Sequence, residues 1–240
     1  MTTNFTQIIN MLNNDFTVDK IMVPMEYLVL ADTKEKCIER GRQHKDLDII
    51  PFVQKGSITG YWDKNQNRIV PLSPKHITTS STNIFDLIDV FTAQQFFFVM
   101  NGPEIVGYVH RVDLNNDLIK IPFYILLQSL ESFLLQKMQL ELKDISLLKN
   151  MERVRHIISI HHEKQERDIN LEAVQGLYLS EILELSIQKG IIHLPLPMKH
   201  DLEDFRNRVS HADRTLLTSI DEIPKLKHLK DFCIKILTPS

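Results

Sequence analysis

A permanent cation, an amide and an imidazole stand close together late in the sequence, at Arg206, Asn207 and His211. On a helix turning about 100° per residue, Leu202, Phe205, Val209 and Ala212 fall on one side and form a core stripe. Arg206, Asn207, Ser210 and His211 then share an arc of about 140° away from that stripe. Such a surface carries the parts that phosphodiester cleavage uses. A ribose 2′-hydroxyl attacking its own phosphate needs proton transfer, which histidine supplies because its ordinary pKa is about 6.5. The charge growing on the phosphate oxygens needs fixed donors, which a guanidinium offers in parallel pairs. Asn207 can hold the phosphate or orient His211, having both donor and acceptor. No acidic cluster in metal-binding order lies nearby, so the chemistry is read as needing no metal. A plainer reading stands beside it: Arg206 bridges to Asp201 or Glu203, and His211 caps the helix C-terminus, where positive charge is mildly favourable.

Other chemistry-bearing side chains rank lower. His156, His161 and His162 are offset by five and six, which does not bring metal ligands to one helix face. Glu131 lies within the apolar run LLQSLESFLL and needs a partner if buried, Arg206 being one. Trp62 and Phe96 to Phe98 read as core, and the basic residues between Asp144 and Arg155 as a solvated helix face.

The elements that must position these groups fall into two halves. Up to about residue 118, short β-rich runs alternate with helical stretches; beyond it, apolar spacing turns helical. A first helical segment covers 1 to 17. Then LVLA (28 to 31), a helix from Thr33 to His44, IIPFVQ (49 to 54) and SITGYW (57 to 62) read as strand, helix and hairpin. The order recurs with HITT (76 to 79), a helix from Asn83 to Thr92, FFFVM (96 to 100) and IVGYVH (105 to 110). Gly60-Tyr61 laid over Gly107-Tyr108 gives an internal repeat of about 47 residues. From Ile119 onward, Phe123, Leu127, Leu130, Leu134 and Met138 make an amphipathic stripe. Further helices are expected near 145 to 162, 170 to 189 (Asn170 as cap, Gly190 as stop), 199 to 212 and 224 to 237. The predicted class is a two-domain α+β/α chain.

Composition bounds the reading. The 240 residues are 43% hydrophobic and 25% charged, as in globular proteins with a substantial core. Net charge is −3, so no global field attracts a polyanion, and nucleic-acid contact would have to be local. Only seven glycines are present, which disfavours a glycine-rich phosphate loop. Cys37 and Cys233 match no metal or redox pattern and read as buried thiols of a reducing compartment. The N-terminus lacks a signal-peptide pattern, and uncharged apolar runs such as IPFYILL (121 to 127) fall short of the roughly 20 residues of a membrane span. The expected location is cytoplasmic, with no membrane partner.

The repeated unit resembles the cystathionine-β-synthase (CBS) module, which occurs as tandem pairs of small sheets with packed helices. Val18 to Met22 looks like the family's opening segment and Ile50-Pro51-Phe52-Val53 like its hydrophobic-Pro-hydrophobic strand. Gly60 to Asp63 and Gly107 to Asp113 align with its ribose- and phosphate-binding segment. The resemblance implies repeats over about 18 to 72 and 73 to 118, and an adenosyl ligand (AMP, ADP, ATP or a relative) held by Gly107, His110, Asp113 and Thr79. In the first repeat Asp63 stands for the family's hydroxyl residue and Gln66 for its ribose-binding Asp, so phosphate would be repelled there.

Asp204 to His211 resembles the Leu-Arg-Asn-x-hydrophobic-Ala-His signature of HEPN domains, helical bundles that include metal-independent ribonucleases. The resemblance implies a HEPN bundle over 119 to 240, with Arg206, Asn207 and His211 cutting single-stranded RNA. It also implies a homodimer, because one protomer supplies a single histidine where attack and departure need a base and an acid. No cofactor is expected for catalysis. The expectation is an adenosyl-sensing CBS pair controlling a HEPN ribonuclease; the alternative is a non-catalytic homodimeric nucleotide-binding module.

Overall fold

A computed structural model describes residues 4–138, 145, 147–148, 150–166 and 177–238. The expected cap Asn170 lies outside the described residues. The chain forms two compact units. One comprises Asn13–Ile119 together with Ser219–Pro224; the other comprises Met1–Leu12, Lys120–Thr218 and Lys225–Ser240. The first seventeen residues, expected as one segment, are thus shared between the units: helix α1 (Phe5–Asp15) crosses from one into the other.

The first unit is built on two sheets. Strands β2 (Ile49–Gln54), β3 (Ser57–Asp63) and β4 (Arg68–Pro71) form an antiparallel sheet in that order. The other sheet has the order β1-β7-β6-β5, from β1 (Val23–Pro24), β5 (Ile77–Thr79), β6 (Phe96–Asn101) and β7 (Glu104–His110). Helix α2 (Lys34–Gln43) is capped by Thr33, whose hydroxyl accepts from the Lys36 N–H at 3.2 Å. Helix α3 (Ile84–Phe91) is capped by Asn83, whose amide also donates to the carbonyls of Asn13 (2.7 Å) and Phe16 (3.1 Å).

The repeat extends to the backbone pairing. Each hairpin carries a register shift at the same place, after Phe52 and after Val99. Each hairpin's glycine faces a proline of a third strand, Gly60 opposite Pro71 and Gly107 opposite Pro24. Ala31 bridges Phe52 in parallel as Thr78 pairs with Val99. The LVLA run, expected as a strand, forms only that single bridge at Ala31, because no further residue of it meets a partner strand. The short strands β1 and β4 were not foreseen. Both contain proline and lie on sheet edges, where a missing N–H costs least.

Between the sheets, Ile49, Ile58, Tyr61, Phe96 and Phe98 make one core cluster. Cys37 of α2 packs into another with Ile50, Phe52 and Trp62. Both cysteines are free and buried.

The second unit is helical: α4 (Asp117–Met138), α5 (Met151–Glu166), α6 (Leu179–Gln188), α7 (Leu196–Ser210) and α8 (Ile223–Leu237). The stripe Phe123, Leu127, Leu130, Leu134 and Met138 is buried as its spacing requires. Phe123 meets Phe205 of α7 edge to face, with centroids 5.0 Å apart. By length and composition alone α4 would suffice to cross a membrane, with mean hydropathy 1.5 over its most apolar stretch, half of which is buried inside the protein. Run length underestimated this, because Gln128 and Ser129 interrupt the run without lowering the average much.

Candidate functional site

The first unit encloses a cavity of about 440 Å³. Its apolar walls include Val23, Val29, Ile49 and Tyr108, and its polar rim carries His110, Arg111 and Asp113 with Asp46 and Asp48. A cavity of this size and mixture suits a small ligand with a flat apolar part and a few polar groups.

The rim is set by the turn that ends β7. Asp113 accepts the backbone N–H of His110 at 2.7 Å, and His110 Nδ1 accepts the N–H of Val112 at 3.2 Å. This reciprocal cap fixes both side chains on the short 3-10 turn Arg111–Asn115. With Nδ1 an acceptor, the neutral ring carries its proton on Nε2 and can donate from there. Burial holds His110 below the ordinary imidazole range, Asp48 opposing and Arg111 adding to the effect. Burial also raises the Asp113 carboxyl, against the stabilising His110 N–H. Arg111 lines the cavity, and its Nε is buried with no hydrogen-bond partner.

Of the four residues expected to hold a ligand, His110 and Asp113 line this cavity, while Gly107 and Thr79 are not among its lining. Gly107 serves the sheet instead: a Cβ there would lie 2.8 Å from the Val23 carbonyl oxygen and 2.7 Å from Met22 Sδ. The hydroxyl of Thr79 bonds those of Ser81 (3.2 Å) and Thr82 (3.0 Å). Sequence reasoning missed Asp46, Asp48 and Ile220 as lining residues; adjacency to IIPFVQ was the only signal for the first two, and none pointed to Ile220.

The place related to this cavity by the repeat is filled. His76 stands where Val29 stands in the other half, Phe96 for Ile49, and Tyr61 for Tyr108. Tyr61 meets Phe96 and His76 edge to face at 4.9 and 5.2 Å, and His76 stacks on Phe96 at 5.9 Å. The His76 ring is held by the Ser73 hydroxyl at Nδ1 (3.0 Å) and the Tyr61 hydroxyl at Nε2 (3.4 Å). Asp63, the counterpart of His110, accepts from both the backbone and side-chain amides of Gln66, the counterpart of Asp113, at 3.0 and 2.8 Å.

In the helical unit, Arg206 and Asn207 line a groove of about 340 Å³ with Tyr178, Ser180 and Glu203. Arg206 Nε faces Glu131 Oε1 at 3.7 Å, an ion pair too long for a hydrogen bond, and both atoms are buried without a hydrogen-bond partner. Burial raises the Glu131 carboxyl, with Arg206 and Gln128 pulling it down. The partner anticipated for Glu131 is therefore the one present. Asp201 pairs with Lys225 (2.7 Å) and Glu203 with Lys199 (3.7 Å), so neither takes Arg206. At the rim, Arg153 lies over the Tyr178 ring at 3.9 Å and bonds Glu181 at 3.1 Å.

His211 does not join them in the groove's lining. The helix ends at Ser210, and His211, its C-terminal cap, is exposed on extended backbone (φ −116°, ψ 120°).

No family model and no curated protein matches the chain. Among solved structures it is similar to the CBS domain of the bacterial CNNM/CorC family Mg2+ transporter in complex with ATP, at 16% identity and TM-score 0.38, over 48% of this chain and 95% of that chain. It is also similar to CBSX2 in complex with AMP, at 14% identity and TM-score 0.39, over 44% of this chain and 98% of that chain.

Proposed function

We propose that the first unit is a CBS-type pair that senses an adenosine-containing ligand, and that the helical unit is the HEPN-type effector it regulates. The observation that carries the sensor reading is the cavity of about 440 Å³ whose lining joins Asp113 and Arg111 to aliphatic residues such as Val23, Val29 and Ile49. A carboxylate oxygen accepts from a ribose diol, a guanidinium and the His110 Nε2–H donate to a phosphate, and the aliphatic walls take the base. Three carboxylates, Asp46, Asp48 and Asp113, oppose one guanidinium around the cavity, so a ligand with little negative charge is favoured. The expected order of affinity is AMP above ATP.

Calorimetric titration of the full chain tests this. One AMP per chain is expected, with ATP weaker and Asp113→Asn weakened on the order of tenfold, since a hydrogen bond to a charged group contributes roughly 1.5–3 kcal/mol. Absence of binding by AMP, ATP and adenosine would reject the sensor.

For the effector, Arg206 and Asn207 supply phosphate binding and charge stabilisation in one groove, with the reaction running by 2′-hydroxyl attack on single-stranded RNA in a homodimer that brings in a second chain's histidine. The position of His211 outside the groove favours a second reading, in which this surface binds phosphate without cutting. Labelled RNA in EDTA separates them: a ribonuclease cuts RNA, spares DNA, and loses on the order of 10² to 10⁴ in rate in His211→Ala. A binding module cuts nothing, and Arg206→Ala lowers its RNA affinity.

A further inference from the structure

The unit that holds the cavity is not continuous in sequence. The chain leaves the helical unit after Thr218, contributes Ser219–Pro224 to the cavity unit, and returns at Lys225. Within that excursion, Ile220 lines the cavity. It sits at the start of a defined 3-10 turn, Ile220–Glu222, whose opening is capped by the Ser219 hydroxyl accepting from the Asp221 N–H at 3.2 Å. An aliphatic side chain directed to a cavity from a capped turn can read only an apolar part of a ligand.

We infer that Ile220 completes the ligand site from the far end of the chain, as a wall against the flat base of the adenosyl ligand. The inference rests on the sensor reading above and extends it by naming a specificity residue and a route. Both ends of the excursion are tied to α7, which carries Arg206 and Asn207. Before it, Arg208 Nη1 donates to the Leu216 carbonyl at 3.1 Å; after it, Lys225 pairs with Asp201 at 2.7 Å. A ligand that orders Ile220 therefore orders the connection between α7 and α8, a covalent crossing between the units besides those in α1 and α4. Coupling of this kind requires only that the ligand prefer one arrangement of the turn.

The test uses the full chain and AMP. Calorimetry should show Ile220→Ala weakened roughly three- to tenfold, as expected for partial loss of an apolar contact, and Ile220→Glu weakened more than tenfold. Hydrogen exchange followed by mass spectrometry on the wild type should show slower exchange across 216 to 224 when AMP is bound. That second measurement needs no variant to fold. If the wild type binds AMP while Ile220→Glu binds it equally well, or if AMP leaves exchange in 216 to 224 unchanged, Ile220 is no part of the site and this inference falls alone. If the wild type binds neither AMP nor adenosine, the sensor reading falls and takes this one with it.

Discussion

The two halves of the cavity unit share a backbone plan and differ in what the plan encloses. Register shifts after Phe52 and Val99, glycine facing proline in each hairpin, and the parallel pairing of Ala31 and Thr78 recur about 47 residues apart. Yet Val29 and Ile49 of the first repeat with Tyr108 of the second line a cavity of about 440 Å³, while His76 and Phe96 of the second with Tyr61 of the first pack on one another at the related place. The polar residues follow suit. Asp113 and Arg111 face the open cavity, whereas Asp63 is occupied with Gln66. A repeat thus conserves hydrogen-bond geometry, which the fold requires, and leaves side-chain volume free to decide whether a site exists.

Truncating the two counterparts should break this comparison most visibly. Phe96→Ala empties a packed aromatic cluster and should cost about 3–5 kcal/mol, while Ile49→Ala, whose side chain already borders empty space, should cost about 2 kcal/mol. Chemical denaturation measures both, and equal losses would show that the halves are packed alike. Next come the glycines. A Cβ on Gly60 would sit 2.5 Å from the Val70 carbonyl oxygen, closer than any contact at Gly107. Gly60→Ala should therefore destabilise by about 1–3 kcal/mol, with Gly107→Ala at or below that figure. The reverse order would mean that Met22 and Val23 yield less than β4 does.

Importing the plug tests the comparison through binding. Val29→His with Ile49→Phe reproduces the closed half's side chains in the open half and should abolish AMP uptake by at least thirtyfold, an estimate of about 2 kcal/mol of lost contact and clash. Stability should change by less than in Phe96→Ala. A doubly substituted chain that still takes up one AMP would place the ligand elsewhere.

How far the sequence foretold these features depends on how local each one is. Strands β2 and β6 were read within one residue, because continuous β-branched and aromatic runs bounded by turn residues specify them locally. Helices α2 and α3 were read as spans starting at Thr33 and Asn83, the residues that cap them in the structure. Strands β1 and β4 were illegible since they consist of two and four residues and exist only through pairing with distant partners. His110 and Asp113, which line the cavity, were named only through the resemblance of Gly107 to Asp113 to the CBS ribose- and phosphate-binding segment. The aromatic plug was not, because a single His76 carries no pattern until it stands between Tyr61 and Phe96. Ile220 was beyond reach for the same reason, being about a hundred residues from the rest of its cavity. At the Arg206 groove the spacing read a helix but carried it to 212, two residues past its last helical residue Ser210, and so set His211 on the same helical arc as Arg206 and Asn207.

The smallest expected effect, and the sharpest, is titration of two histidines, His76 at the filled place and His110 at the cavity. Burial lowers both His76 and His110 below the ordinary imidazole value, with Lys75 adding to the first and Asp48 opposing in the second. A group that binds protons more weakly folded than unfolded contributes no differential at pH 8. As pH falls below about 6.5, the unfolded chain takes up the proton first, so stability declines until the lowered folded values are passed. Unfolding midpoints between pH 8 and 5 should show this decline, and His76→Phe should make it shallower. The two histidines must then part company when ligand is added. His76 is enclosed by Ser73 and Tyr61 and should not respond. His110 lines the cavity, so a bound phosphate would favour its protonated form and AMP should bind with proton uptake near pH 6. Calorimetry in buffers of different ionisation enthalpy reads that uptake directly. An enthalpy independent of buffer would place the phosphate away from His110, leaving the open half's rim to the ribose alone.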